Sequence, residues 1–155
     1  MNDPPDSHQE EARRWLADAF RTLASARHQL TGEDLPEGIA CFLAHLAAEK
    51  ALKAVLIALH HRFQKVHDLV ELQRPIVAAG LSMQVTAQDL KRLNPWAIDG
   101  RYLEDVPASS PGVAHDLVAI AAGVLTEAEH AIDELARRER ELDQFPLAPD
   151  EEEQP

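Results

Sequence analysis

The stretch from Cys41 to Asp68, CFLAHLAAEKALKAVLIALHHRFQKVHD, constrains this chain more than any other. It reads as a long helix of Ala and Leu, a short basic corner, and a His-Asp pair opening the next helix. Ala and straight-chain residues lose little freedom in a helix, and β-branched runs are few. With aromatic residues at only 5%, the chain favours packed helices over sheets. A length of 155 residues corresponds to one domain with a single core.

Periodicity and punctuation divide the rest. Trp15, Leu16, Ala19, Phe20, Leu23 and Leu30 recur at three- and four-residue steps, so a first helix is expected from near Ser7 to Thr31-Gly32. The second runs from about Ile39 to His60. A third opens at His67-Asp68 with Leu69, Leu72, Ile76 and Val77, and Pro75 predicts a kink or an early stop. Thr86-x-x-Asp89 is a capping box for a short helix holding Leu90 and Leu93. Residues 94–112 are too broken by Pro, Gly and Ser for regular structure. A last long helix opens at Ser110-Pro111, its apolar stripe running through Leu117, Ala121, Val124, Ala128, Ile132 and Leu135. The expected fold is all-α: an antiparallel, up-and-down bundle of four main helices plus one short one. It would span residues 7–142, with disordered tails at 1–6 and 143–155.

Charge narrows the function. Fifteen Lys and Arg stand against twenty-seven Asp and Glu, a formal net charge of −12. A surface this negative repels phosphate backbones and so disfavours general coating of nucleic acid, and any RNA or nucleotide contact must be a local positive spot on an acidic body. The single Cys41 precludes an internal disulfide or a Cys-rich zinc site and reads as a buried core residue. Glu127-x-x-His130 has di-iron spacing but no second copy, so it is expected to be a surface feature, and no metal or cofactor is expected. The N-terminus has no basic start or apolar core of a secretory signal, and no run of the sequence approaches a membrane span. A cytoplasmic protein is expected.

On a helical wheel, the second helix buries Ala47, Ala51, Leu52, Ala54, Val55, Ala58 and Leu59. Its other strip carries His45, Glu49, Lys50, Lys53 and His60, interleaved with Phe42, Leu46 and Ile57. Such a mixture reads either as a central helix whose Lys stems reach water or as a contact surface for a ligand or a second subunit. Lys50 and Lys53 have a plain reading too, as solvated surface charges paired with Glu49 or an acid on a neighbouring helix.

Cys41-Phe42, the run Ala47 to Ala54 (AAEKALKA), and His67-Asp68-Leu69 with Leu72 resemble the HEPN domain family. Trp15 with Ala17-Asp18 and Arg101-Tyr102 agree, so the resemblance spans roughly residues 13–137. It implies a bundle of this type, usually a homodimer. Many members are metal-independent RNases, often toxins of a toxin–antitoxin pair silenced by a separate nucleotidyltransferase, and their hallmark is Arg, four to six residues, then His. Arg62-Phe63-Gln64-Lys65-Val66-His67 matches it formally. The implied catalytic pair is Arg62, holding phosphate, and His67, moving a proton at the ribose 2′-hydroxyl. Lys50, Lys53, Arg101 and Tyr102 would be the nucleotide- or RNA-binding residues. The alternative is a non-catalytic partner or adaptor that binds a nucleotidyltransferase or its own copy. The plain reading of His67 is that it caps helix three or bonds to a neighbouring backbone, and that of Arg101-Tyr102 is that it pins the long loop to the bundle.

Overall fold

A computed structural model describes residues 7–32, 37–97 and 111–145. The described residues form helices α1 (Ser7–Thr31), α2 (Glu37–Ala58), α3 (Leu69–Ala78), α4 (Ala87–Leu93) and α5 (Pro111–Gln144), with a 3₁₀ turn at Asn94–Trp96. The fold is all-α. Three long helices, α1, α2 and α5, pack on one another; α3 lies on α2, and α4 bridges α3 and α5.

The expected apolar stripes supply the core. Leu16, Ala19 and Leu23 of α1 and Leu117, Ala121, Val124, Ala128 and Ile132 of α5 are buried against Ala44, Ala47, Ala51, Leu52 and Val55 of α2. The many alanines of α2 allow close helix approach, while leucines from the flanking helices fill the remaining volume. Cys41 is fully buried, as expected. Two residues of the stripes turn outward: Phe20 at the edge of α1, and Val77, 52% exposed, on α3.

Helix boundaries differ from expectation where local chemistry intervenes. Helix α2 begins at Glu37 rather than Ile39, with an acid in the first turn, where the helix dipole favours one. It ends at Ala58, because His60 adopts a left-handed φ of 55°. The His60 N–H then bonds the Ile57 carbonyl and the His61 N–H the Leu56 carbonyl, both at 2.9 Å. This is a Schellman closure, built on histidine where glycine is usual. The same closure ends α3 at Gly80, φ 79°. Helix α3 starts at Leu69, later than expected, with Asp68 as its N-cap accepting from Val70 and Glu71. It continues through Pro75 to Ala78, so the proline precedes the stop by about one turn. The capping box of α4 is complete: Thr86 accepts from the Asp89 N–H and Asp89 from the Thr86 N–H. The region after Leu93 holds more order than its composition suggests, since Asn94–Trp96 forms a 3₁₀ turn with Trp96 buried. Helix α5 opens at Pro111 and runs to Gln144, beyond the expected end at Leu142.

Glu127 is more than a surface feature. Its carboxylate accepts the backbone N–H of Gln84 at 2.7 Å and of Val85 at 3.0 Å, pinning the α3–α4 connection to α5. Among the described residues, no helix is long and apolar enough to cross a membrane.

Candidate functional site

Part of the α2 strip that the wheel left ambiguous lies inside the molecule, whereas Lys50 is half-buried and His60 is exposed beyond the end of the helix. His45, Glu49 and Lys53 follow one another at four-residue steps and so share a face. They are 1%, 7% and 8% exposed. The α2–α3 connection delivers His67 to the same point, and the end of α4 delivers the Leu93 carbonyl. Glu49 is the hub: Oε1 accepts from Lys53 Nζ at 2.7 Å and from His67 Nδ1 at 3.0 Å, while Oε2 lies 3.2 Å from His45 Nε2. His45 Nδ1 donates to the Leu93 carbonyl at 3.0 Å. Burial alone would raise the carboxyl pKa of Glu49. Hydrogen bonds from His45, Lys53 and His67, together with the Lys53 charge, outweigh it and bring the pKa down from 4.5 to about 2.

This hub joins three elements. Next to it, Asn94 donates to the Asp68 carboxylate at 3.1 Å and accepts the Leu69 N–H at 3.0 Å, tying the start of α3 to the 3₁₀ turn. His67 therefore does not cap α3, since Asp68 has that role. The His67 side chain is 40% exposed, with Nδ1 turned inward on Glu49. A carboxylate on Nδ1–H selects the ring tautomer that carries its lone pair on Nε2.

The other expected site residues occupy different environments. Lys50 leans onto α1, 2.6 Å from Asp18 Oδ2 and 3.2 Å from Thr22 Oγ1. Its hydrogen bond holds the Asp18 carboxyl below the ordinary range. Lys53 is turned onto Glu49, with its ammonium 5.5 Å from the Phe63 ring centroid. Phe63 in turn meets Trp15 edge-on at 6.2 Å. The partners follow the plain reading, Asp18 of α1 for Lys50 and Glu49 for Lys53, but Lys53 is buried rather than a solvated surface charge. Arg62 is exposed on the connection and pairs with no carboxylate among the described residues. Arg101 and Tyr102 lie outside the described residues. The structure brings Lys53 and His67 to one carboxylate, separates Lys50 from them, and leaves Arg62 facing solvent on the connection that carries His67.

Sequence reasoning missed Glu49 as the hub and Asn94 as a clamp. The first had a signal, since His45, Glu49 and Lys53 at successive helical turns of an Ala-Leu helix would have to be buried together. Asn94 had none, because its partner Asp68 lies 26 positions away. Among the described residues, no group of three or more His, Cys, Asp or Glu side chains is arranged to hold a metal ion.

Comparison with known proteins agrees with this architecture. The family model described as HEPN domain matches residues 12–135. The chain belongs to the HEPN family. Among solved structures it is similar to ST0689, an archaeal HEPN homologue, at TM-score 0.63 and 23% identity, covering 78% of this chain and 97% of that one. It is also similar to TT1696 from Thermus thermophilus, at TM-score 0.58 and 27% identity, covering 77% of this chain and 97% of the other. A comparison with curated proteins finds no match. The signature residues acquire physical roles here: Asp18 of the first helix is the partner of Lys50, and Glu49 and Lys53 are partners of each other and neighbours of His67.

Proposed function

We propose that this HEPN protein binds RNA at the α2–α3 corner and cleaves it without metal, with His67 as the proton-transfer group and Arg62 as the phosphate contact. The observation that carries the reading is the Glu49–His67 contact. A buried carboxylate, ionised across the physiological range, holds Nδ1 of a half-exposed imidazole. Such a partner orients the ring and stabilises the imidazolium that forms when Nε2 takes a proton. His67 would remove the proton of a ribose 2′-hydroxyl. The 2′ oxygen then forms a bond to the adjacent phosphorus, the bond to the 5′ oxygen breaks, and solvent protonates the leaving oxygen, giving a 2′,3′-cyclic phosphate. Arg62 would offset the charge gathering on the non-bridging oxygens. Lys50 and Lys53 act at a distance in this reading, by holding α1 and Glu49 in place. Arg101 and Tyr102 remain proposed contacts to the RNA chain. A separate nucleotidyltransferase would be the silencing partner.

The second reading is a non-catalytic partner protein, dimeric or bound to a nucleotidyltransferase. What favours it is the internal neutralisation of Lys50 and Lys53 within a body of net charge −12, which weakens capture of a polyanion. One experiment separates the two: cleavage of cellular RNA in EDTA by wild type, Arg62→Gln and His67→Ala. Arg62 makes no ion pair among the described residues, so its variant should keep the fold. Loss of about a hundredfold in rate on Arg62→Gln supports the ribonuclease. Background activity in all three proteins, with a dimer in sedimentation equilibrium, leaves the partner reading.

A further inference from the structure

Beside the Glu49 hub, a cavity of about 470 Å³ opens between the end of α2, the connection and α3. Its apolar lining includes Leu56, Phe63, Leu72 and Pro75. Phe63 is held from behind by the edge contact with Trp15. The charged and titratable groups on the lining are His61, Arg62 and Arg74, with Glu71 as the single acid. Glu71 is already engaged by Arg74, at 3.1 Å. We infer that this cavity is a binding site for a free amphipathic carboxylate, a small molecule with an acyl or aryl body and one anionic head.

Size and charge both point to that class. The volume lies within the range of small-molecule sites, about 300–1,000 Å³. An apolar body would displace water from Leu56, Phe63 and Leu72, and Arg62 would meet the carboxylate through paired N–H donors. Arg74, steadied by Glu71, still has N–H donors directed elsewhere, because a guanidinium carries five. A neutral apolar molecule would leave the Arg62 guanidinium without an anion. A compact inorganic anion would leave the lining wet. In a chain of net charge −12, two arginines around an apolar floor select an anion that brings its own hydrophobic tail. The site shares Arg62 with the RNA reading but does not rest on it.

The test is isothermal titration of the full-length chain with decanoate, with decanol, inorganic phosphate and adenosine monophosphate as controls. Ala78, exposed at the mouth, is replaced in Ala78→Phe to fill the cavity without touching the core. The expected result is saturable 1:1 binding of decanoate and about tenfold weaker binding in Arg62→Gln and in Arg74→Gln. Binding should be lost in Ala78→Phe at an unchanged melting temperature. Neither Arg74→Gln nor Ala78→Phe should alter RNA cleavage, which separates this site from the proposed catalytic pair. Four results would overturn the proposal: no saturable binding of decanoate, equal affinity for decanol, full affinity in Ala78→Phe, or binding of adenosine monophosphate with none of decanoate.

Discussion

The α1–α2–α5 core and the α2–α3 corner are built from the same helix by opposite means. Toward α1 and α5, α2 presents Ala44, Ala47, Ala51 and Val55, and cohesion comes from apolar area and close packing. Toward α3 and the end of α4 it presents His45, Glu49 and Lys53, and cohesion comes from charge-assisted hydrogen bonds on one carboxylate. The apolar side tolerates many substitutions of similar volume. The polar side depends on a single residue, since His45, Lys53 and His67 all converge on Glu49. A buried polar cluster also fixes which surfaces meet, because only one arrangement satisfies every group. A helix buried on most sides need not be apolar on most sides.

The sharpest way to break this contrast is to remove its centre. Glu49→Ala leaves the Lys53 ammonium buried without its acceptor and His45 Nε2 without its partner, and should cost about 3–5 kcal/mol in denaturant unfolding. Leu52→Ala, in the apolar core, should cost about 2–5 kcal/mol through its cavity. Only the Glu49 variant should also release His67, seen as a change in its imidazole NMR shifts. If Glu49→Ala unfolds with less than about 1 kcal/mol lost, the polar corner is not cohesive in this sense.

Acid sharpens the same difference. The Glu49 pKa is about 2 in the folded protein against 4.5 ordinarily, so its stabilisation is complete above about pH 4.5 and is lost as pH falls toward 2. A displacement of that size corresponds to about 3 kcal/mol. The difference in stability between wild type and Glu49→Gln should therefore shrink steadily over that window, read from urea midpoints at each pH. A difference independent of pH would mean that shape rather than charge matters at this position. Leu52→Ala should track wild type across the whole range.

Smaller effects belong to the caps at the edge of the corner. Asp68→Ala should cost about 1–2 kcal/mol, since the carboxylate caps α3 and also holds Asn94. Thr86→Ala, which removes a capping box alone, should cost about 1 kcal/mol. Amide exchange should quicken around Leu69–Glu71 in the first variant and around Asp89 in the second. Equal losses would show that the Asn94 bridge adds nothing.

Local signals were the legible ones. The α4 capping box, the Pro111 opening and the α5 stripe all depend on residues within a few positions of one another, and each appears as read. The α2 boundary was misread at His60, because a left-handed histidine carries no distinctive pattern. Within the candidate site, the pairing of Lys53 with Glu49 was visible as a four-residue spacing. The choice of Asp18 by Lys50 was open until α1 was docked.

Composition and periodicity by themselves determined an Ala-Leu helical bundle with α2 at its centre, since helix propensity and a 3.6-residue repeat are properties of neighbours along the chain. Packing of the helices is what turns His45, Glu49 and Lys53 inward, brings His67 and Asn94 from 18 and 26 positions away to meet Glu49 and Asp68, and leaves Arg62 in water. Those outcomes follow from desolvation. A buried ion needs a partner, and which partner arrives is set by how helices pack rather than by spacing along the chain.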